Sequence, residues 1–307
     1  MEVSLLRLPQ PFDVGLSLDS LQRSSYGAPY HFSAGGCIVR RLVRLGVALK
    51  LLEFDFEASG EELRTTVLWQ HDLDGADDAG LSSEQLARLA CSAWGLEDDL
   101  PACYAHLRTD PQIAPLIARY HGMRLARVPD LYEALLVAIL GQQISVRAAS
   151  ACRARLMTSL AERVDFEGRT YTTYPVPAHL LASGAAVLQA LGTGGQKARY
   201  LLSLAEAALA GKLAGAKFAD LSDEEATALL CEIPGVGRWT AEVALLRGLG
   251  RLDVFPAGDL GLQVAAQRVF GLSSRPSERE LRVLAEPWQP WRGYAALYLW
   301  GYLRDST

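Results

Sequence analysis

The spacing of hydrophobic and polar residues differs between the first third of the chain and the remainder. Cys37–Leu45 is rich in branched apolar residues, and Leu52–Glu57 alternates apolar with acidic residues, as a strand with one solvated face does. Arg64–Gln70 is a third segment with strand character. These segments predict a small antiparallel sheet with one face in water.

From Ser82 onward the hydrophobic spacing is helical. Four pairs have the capping-box spacing, in which Ser or Asp precedes Glu or Gln by three residues: Ser82 with Gln85, Asp130 with Glu133, Ser222 with Glu225 and Ser277 with Glu280. Pro175, Pro177 and the run Gly192–Gly195 predict loops between helices. The chain is therefore predicted to have an α+β fold, with a small N-terminal antiparallel-sheet domain followed by a mostly α-helical core.

Length and composition are those of a globular protein with two or three packed units. The chain has 307 residues, of which 50% are hydrophobic and 21% are charged. No basic segment followed by an apolar core opens the chain, so we expect no signal peptide. The most apolar run, Leu131–Gly141, contains Glu133 and is too short to cross a bilayer. We therefore expect a cytoplasmic protein with no membrane partner.

The five cysteines, Cys37, Cys91, Cys103, Cys152 and Cys231, lack the spacing of metal ligands. Their odd number and the absence of a secretion signal indicate reduced, mostly buried thiols. An iron–sulfur cluster needs four clustered cysteines, so that cofactor is not expected.

The formal net charge of −5 argues against a protein that coats itself with nucleic acid. It is compatible with one local cationic patch. The later part of the chain supplies cations for such a patch: Arg147, Arg153, Arg155, Lys197, Arg199, Arg238, Arg247 and Arg251. Charge runs are most often solvated faces, so these residues indicate an interface only in combination with other motifs.

The most informative segment is Leu229–Ala241. We predict that one helix ends at Pro234 and that a second begins at Gly237 or Arg238. Gly235 and Gly237 lack Cβ atoms, so the backbone can approach another molecule closely. The N–H groups of such a turn form a nest for an anion such as a DNA phosphate. An ordinary helical corner, in which glycine only permits the turn, explains this segment equally well.

A carboxylate follows the predicted hairpin. Asp259 comes after a loop that contains Pro256 and Gly258, at the entrance to an apolar helix. Asp at this position is most often an N-cap, and the residue taken alone favours that interpretation.

Together these motifs resemble the helix–hairpin–helix DNA glycosylases, and among them most the bacterial 3-methyladenine glycosylase II group. The resemblance lies in Ile233–Ala241 followed by Asp253–Asp259, in Ile139–Val146, in Pro287–Ala295 with Trp300, and in Pro11–Asp13. It is strong from about Pro129 onward and weak before that residue. Several motifs in the family's order are more specific than a single glycine-rich turn.

The resemblance implies three domains. An N-terminal α/β domain would span residues 1–95, and a helical domain would combine residues 96–128 with 255–307. A second helical domain, residues 129–254, would carry the helix–hairpin–helix motif at 229–248.

The resemblance also implies a catalytic carboxylate and a DNA-binding surface. Asp259 occupies the position of the family's catalytic aspartate. Backbone N–H groups of Gly235, Val236 and Gly237 and the hydroxyl of Thr240 would bind a phosphate. Gln143 falls where relatives insert a side chain into the gap left by an extruded nucleotide. An exposed polar residue of no special function is the alternative for Gln143.

The implied pocket for the damaged base contains Trp239 and Trp300, with Trp300 stacking on the base. A core tryptophan is the alternative for Trp300. Carbonyl groups of Cys231, Ile233 and Val236 would hold a structural Na⁺ or K⁺, and no other cofactor is expected.

The function implied is that of a base-excision glycosylase that flips out alkylated purines and hydrolyses their N-glycosidic bond in damaged double-stranded DNA. Trp239 stands where lyase-competent relatives carry a lysine, so the enzyme would be monofunctional. A bifunctional glycosylase/lyase for oxidised bases is a first alternative, although Lys197 and Lys217 do not occupy that position. A non-catalytic DNA-binding module is a second. We expect a monomer located with the bacterial nucleoid in the cytoplasm.

Three positions depart from the family's pattern. Relatives carry aromatic residues where this chain has Val243, Leu260 and Gly301. We therefore expect a roomier and less aromatic base pocket.

Overall fold

The computed structural model describes residues 2–46, 48–57, 60–72 and 80–306. Its N-terminal part contains, in chain order, β1 (Val3–Arg7), α1 (Val14–Gln22), β2 (Tyr30–Phe32), β3 (Ile38–Leu45), β4 (Ala48–Phe56) and β5 (Glu62–Asp72). Among the described residues these strands form one antiparallel sheet in the order β1-β5-β4-β3-β2. The three predicted strands are β3, β4 and β5, which confirms the N-terminal sheet.

The second face of this sheet is covered, contrary to our expectation of one face in water. Leu42 and Leu51 on that face are fully buried, and they cluster with Tyr171. Tyr171 belongs to a hairpin of β6 (Arg163–Phe166) and β7 (Arg169–Thr172). The prediction was wrong here because a hairpin from the helical part of the chain packs onto the sheet.

This hairpin was missed, although its turn has a recognisable sequence. Glu167 and Gly168 join the two strands and have positive φ of 50° and 73°. Such two-residue turns match the twist of the flanking strands, and glycine favours them. The alternation of Val164 and Phe166 before the turn is the signal that could have identified it.

The rest of the chain is mostly helical, as predicted. The helices are α2 (Ser83–Trp94), α3 (Leu100–Leu107), α4 (Ala114–Arg119), α5 (Leu131–Gly141), α6 (Val146–Leu160), α7 (Pro177–Ala190), α8 (Gly195–Leu209), α9 (Asp223–Cys231), α10 (Arg238–Gly248), α11 (Leu260–Val269), α12 (Glu278–Leu284) and α13 (Arg292–Asp305). Pro177 begins α7 instead of lying in a loop, since proline suits the first turn of a helix. None of the described helices has the length and apolar character needed to span a bilayer.

Three of the four predicted capping boxes are present, at Ser82, Ser222 and Ser277. The fourth is incomplete. Asp130 accepts the N–H of Glu133 at 2.8 Å, but the Glu133 carboxylate forms a buried ion pair with Arg41 of β3. This side chain therefore connects the sheet to α5 instead of capping the helix.

Two hydrophobic cores lie on either side of the molecule's main cleft. The first contains the inner face of the sheet and nearly every side chain of α5. The second joins two distant parts of the chain, Leu100–Leu125 and Phe255–Leu299. The discontinuous domain predicted at 96–128 plus 255–307 shares this second core. The limits 1–95 and 129–254 stay predictions, because both of these segments contribute to the first core.

Candidate active site and hairpin

A cleft of about 1260 Å³ lies between the hairpin and the second core. It brings together every site residue predicted from the sequence: Gln143, Cys231, Ile233, Gly235, Val236, Gly237, Trp239, Thr240, Asp259 and Trp300. These residues come from the turn after α5, the end of α9, the α9–α10 turn, the first turn of α10, the N-cap of α11 and the middle of α13. The structure thus places three separate sequence motifs around one cavity.

The connection between the two hairpin helices is longer than predicted. Helix α9 ends at Cys231, three residues before Pro234, and α10 begins at Arg238 as expected. The Ile233 carbonyl accepts the N–H of Val236 at 2.9 Å, and this bond closes the turn. The early helix end frees backbone groups on the face that lines the cleft.

The two glycines of the turn have different reasons to be glycine. Gly235 has a φ of +92°, and a Cβ there would lie 2.2 Å from Cγ of Tyr200. Gly237 has an ordinary φ of −89°, and a Cβ there would meet no protein atom within 4 Å. The fold therefore requires Gly235, whereas Gly237 keeps the surface of the turn open to another molecule.

Gln142, which the sequence analysis did not single out, connects the end of α5 to the hairpin. Its Nε2 donates to the Gly235 carbonyl and to Oγ1 of Thr240, both at 2.9 Å. Thr240 is only 2% exposed, so its side chain supports Gln142. A contact between the Thr240 hydroxyl and phosphate stays a prediction.

Gln143 has a φ of +54°, which is uncommon for a residue with a side chain. Its side chain is exposed at the rim of the cleft. A strained backbone of this kind persists when the surrounding structure holds it, and it is concentrated at functional sites. The conformation supports a residue displayed toward a ligand.

Asp259 is held by three hydrogen-bond donors. It caps α11, with Oδ1 accepting the N–H of Leu262 at 2.9 Å. The indole N–H of Trp300 donates to Oδ1 at 3.2 Å, and that of Trp239 donates to Oδ2 at 3.1 Å. The carboxylate accepts all three hydrogen bonds, and they fix its orientation. The N-terminus of α11 stabilises its negative charge. The N-cap interpretation is therefore correct, and the same carboxylate also faces the cleft.

A buried cation lies against the ring of Trp300. Arg247 is 4% exposed, and its Nη1 donates to the Ala126 carbonyl at 2.9 Å. Its guanidinium carbon lies 5.5 Å from the ring centre of Tyr26 and 5.8 Å from that of Trp300. Burial lowers the pKa of Arg247 to about 10, so the group remains charged at neutral pH.

The sequence contained a signal for Arg247. Trp239, Val243 and Arg247 follow one another at intervals of four on α10, so they share one helix face, and all three line the cleft. Tyr26 had no comparable signal, since it reaches the cleft from the N-terminal domain.

Of the three positions at which relatives carry aromatic residues, two line the cleft and one does not. Val243 and Leu260 line it, and Leu260 is 62% exposed. Gly301 does not. A Cβ on Gly301 would lie 3.0 Å from the Tyr120 ring, so this position faces the second core. The expectation for Gly301 was wrong because adjacent residues of a helix point about 100° apart, and Trp300 already faces the cleft.

The cleft is cationic although the protein is acidic. Its lining includes five basic residues and two acidic ones, against a net charge of −5 for the chain. The basic residues are Arg23, Lys197, Arg238, Arg247 and Arg304. Burial lowers the pKa of Lys197, whose ammonium donates to the Leu140 carbonyl at 3.1 Å. Arg23 and Arg238 pair with carboxylates outside the lining, so the other three basic residues contribute most of the positive charge that can attract an anionic polymer.

The described residues contain no cluster of three or more His, Cys, Asp or Glu side chains that could hold a metal. The carbonyls of Cys231, Ile233 and Val236 lie around the hairpin turn, where α9 presents the negative end of its dipole. A Na⁺ or K⁺ site built from them stays a prediction. Cys103 and Cys152 are buried free thiols, while Cys231 is exposed, so the cysteines are less uniformly buried than expected.

The family model described as HhH-GPD superfamily base excision DNA repair protein matches residues 136–290. This match covers the hairpin, Asp259 and the Gln142–Gln143 turn. The chain belongs to this superfamily. The family prediction made from the sequence is thereby confirmed, together with the fold class.

Two curated relatives extend the comparison. DNA-3-methyladenine glycosylase 2 of Escherichia coli (strain K12) is 36% identical over 217 residues, covering 67% of this chain and 73% of the relative. DNA-3-methyladenine glycosylase of Bacillus subtilis (strain 168) is 24% identical over 302 residues, covering 98% and 97%. A solved 3-methyladenine DNA glycosylase from Archaeoglobus fulgidus has the same fold, with a TM-score of 0.83 at 23% identity over 99% of both chains.

Replacing Gly237 with Val is expected to weaken binding to damaged and undamaged duplexes alike. A Cβ at this position meets no protein atom within 4 Å, so we expect the fold to be preserved, while the side chain obstructs the turn's N–H groups. Loss of hydrogen bonds to a charged phosphate corresponds to roughly 10- to 100-fold in affinity. Fluorescence anisotropy at fixed salt measures this change.

Gly35→Val is the matched control for that experiment. Gly35 is an exposed glycine outside the cleft, and a Cβ there also meets no atom within 4 Å. Equal affinity of the Gly237→Val variant and the wild type would assign the phosphate contact to another surface. Gly235→Val is unsuitable, because its side chain collides with Tyr200.

Proposed function

We propose that this protein is a monofunctional DNA glycosylase that hydrolyses the N-glycosidic bond of alkylated purines, 3-methyladenine among them, in duplex DNA. The observation that carries the proposal is the Asp259 carboxylate, oriented by two indole N–H groups at the junction of a cationic hairpin and an aromatic pocket. The names of the two curated relatives support the substrate class.

The nucleotide must leave the duplex before any protein group can reach C1′. In the proposed complex the N–H groups of Gly235 and Gly237 hold a phosphate, because that of Val236 already donates to the Ile233 carbonyl. Gln143 fills the gap left in the base stack. The extruded base then stacks on Trp300. Because Trp300 also donates to Asp259, the stacked base and the carboxylate are held at a fixed relation to one another.

Asp259 acts on charge that develops in the sugar. As the C1′–N bond stretches, its electron pair moves to the base and the deoxyribose becomes cationic. A pre-oriented carboxylate stabilises that cation without reorganising and can orient the water that adds to C1′. A second carboxylate is dispensable when the base is already cationic, since it then leaves as a neutral molecule.

Release of single defined lesions tests the proposal. We expect cationic 3-methyladenine, and 7-methylguanine after it, to be released faster than neutral hypoxanthine from otherwise identical duplexes under single-turnover conditions. The reason is that the neutral base departs as an anion, and its negative charge has to be stabilised in the transition state. Faster release of hypoxanthine would overturn the preference, and release of no base at all would overturn the proposed function.

Base release is expected to leave an intact abasic strand. The lyase reaction requires an amine that forms a Schiff base with the sugar. Trp239 occupies the place beside Asp259 and donates an indole N–H to it. Borohydride added during base release should therefore trap no covalent protein–DNA adduct.

A lyase-competent glycosylase assayed in parallel shows that the trapping works. A trapped adduct with this protein would support the bifunctional alternative, and Lys197 of the cleft would be the first amine to replace. We further propose that the protein acts as a monomer on damaged double-stranded DNA in the bacterial nucleoid; the basic residues of the cleft support the binding of DNA.

A further inference from the structure

We propose that Arg247 sets the selectivity of the base pocket: its guanidinium opposes the binding of cationic bases and assists the departure of cationic and neutral bases alike. This inference rests on the proposed function. It concerns a residue that the sequence motifs did not identify as part of the site.

The geometry places Arg247 at the base end of the pocket. Its guanidinium carbon lies 5.8 Å from the centre of the Trp300 ring on which the base is proposed to stack. The Tyr26 ring, 5.5 Å away, and the Ala126 carbonyl, 2.9 Å from Nη1, hold it in place. Both contacts restrict the side chain, so the charge stays where it is when the pocket fills.

The charge of Arg247 is not neutralised nearby. Among the described residues no carboxylate acts on it, and Arg304, another cation of the cleft lining, repels it. A backbone carbonyl and two aromatic faces stabilise the guanidinium without cancelling its charge. The base end of the pocket is therefore electropositive.

Trp300 contacts two groups of opposite charge. Asp259 accepts a hydrogen bond from its indole N–H, and Arg247 approaches its ring. In the proposed complex the negative charge therefore lies toward the sugar and the positive charge toward the base. Cleavage of the C1′–N bond separates charge in the same sense, because the sugar becomes cationic and the base gains an electron pair.

The chemical step and the binding step should respond differently to Arg247. A cationic 7-methylguanine goes from +1 to neutral as it leaves, and a neutral hypoxanthine goes from neutral to −1 before taking a proton from water. In both reactions the base gains one unit of negative charge, so a nearby cation assists both to a similar extent. Only the cationic base is repelled when it enters the pocket.

The test is single-turnover release from duplexes that differ only in the lesion, 7-methylguanine or hypoxanthine, at several enzyme concentrations. With Arg247→Met we expect the maximal rate to fall for both lesions by roughly five- to tenfold, the size expected for a partial charge several ångströms away at an effective dielectric of about 20. The half-saturating enzyme concentration should fall for 7-methylguanine only. For each lesion we divide the maximal rate by the half-saturating enzyme concentration. The ratio of this quotient for hypoxanthine to that for 7-methylguanine should then drop by about tenfold.

Two further variants separate charge from packing. Arg247→Lys keeps the charge and should retain a ratio near that of the wild type. Arg247→Gln removes the charge but keeps an N–H donor for the Ala126 carbonyl, and it replaces Arg247→Met if that variant does not fold. Each ratio is measured on one preparation, so a partly unfolded sample does not change it.

Arg124→Met is the matched control. Arg124 is 2% exposed, donates to the carbonyls of Gly95 and Asp98, and lies 5.9 Å from the Phe12 ring centre, outside the cleft. The Arg124→Met substitution should lower the stability of the protein without changing the ratio between the two lesions. An unchanged ratio in folded Arg247→Met and Arg247→Gln, with both lesions released by the wild type, would overturn the role of Arg247 alone. Release of neither lesion by the wild type would instead overturn the proposed function.

Discussion

Replacing Asp259 with Asn is expected to lower the rate of base release on the order of 10²–10³-fold while DNA binding persists or tightens. The variant loses the negative charge that stabilises the cationic sugar. Asn is as good an N-cap as Asp, so α11 should remain capped through the bond to Leu262. The new NH2 group cannot accept a hydrogen bond. The remaining oxygen keeps the Oδ1 position that caps α11 and accepts from Trp300, so the Trp239 indole loses its acceptor.

The matched control is Asp13→Asn. Asp13 is a half-buried N-cap of α1 that accepts the Leu16 N–H at 2.8 Å, and it lies outside the cleft. Both variants are compared by single-turnover base release, by anisotropy on lesion-containing duplex, and by thermal unfolding. Loss of release in Asp259→Asn alone supports catalysis. Normal turnover by that variant would reduce Asp259 to a helix cap and assign the stabilisation of the cationic sugar to another group of the cleft.

Trp300→Ala is expected to reduce base release through weaker capture of the extruded base. Stacking on an aromatic side chain contributes about 1–3 kcal/mol per base, so the rate over half-saturation should fall roughly 5- to 150-fold. Trp300 is half-buried beside the second core, so part of its ring is free to receive a base. Affinity for a duplex that contains an abasic-site analogue should not change, because no base is then present to stack.

Trp300→Phe and Trp291→Ala serve as controls. Phe keeps an aromatic face but cannot donate to Asp259, so its rate should lie between those of the wild type and the Ala variant. Trp291 is also half-buried against the second core and does not line the cleft, so its loss should affect stability only. If Trp300→Ala weakened abasic-site binding as much as base release, Trp300 would be a structural core residue, the alternative considered from the sequence.

Features that depend on neighbouring residues could be predicted from the sequence. Ser82, Ser222 and Ser277 cap their helices as predicted, because a capping box needs only four consecutive residues. The hairpin and Asp259 were recognised for a similar reason, since glycine conformations and a helix start are short-range properties. Order along the chain was enough to associate them with one family.

Other features arise only when distant segments meet. Glu133 has the spacing of a capping box but pairs with Arg41 of the sheet, because a buried carboxylate is stabilised more by a nearby cation than by a backbone N–H. Gly301 was assigned to the pocket by its position in the family pattern, yet the packing of α13 turns it toward Tyr120. Neither outcome can be read from local spacing.

The sequence by itself determined the chemical inventory of the site: a glycine turn for phosphate, a carboxylate at a helix start, and two tryptophans. Only the tertiary structure decided how these groups act on one another. Both indole N–H groups meet Asp259, Gln142 supports the hairpin, and Arg247 lies against Trp300. Hydrogen bonds and charge interactions depend on distances of a few ångströms between residues far apart in the chain, and those distances are fixed by the packing of whole helices.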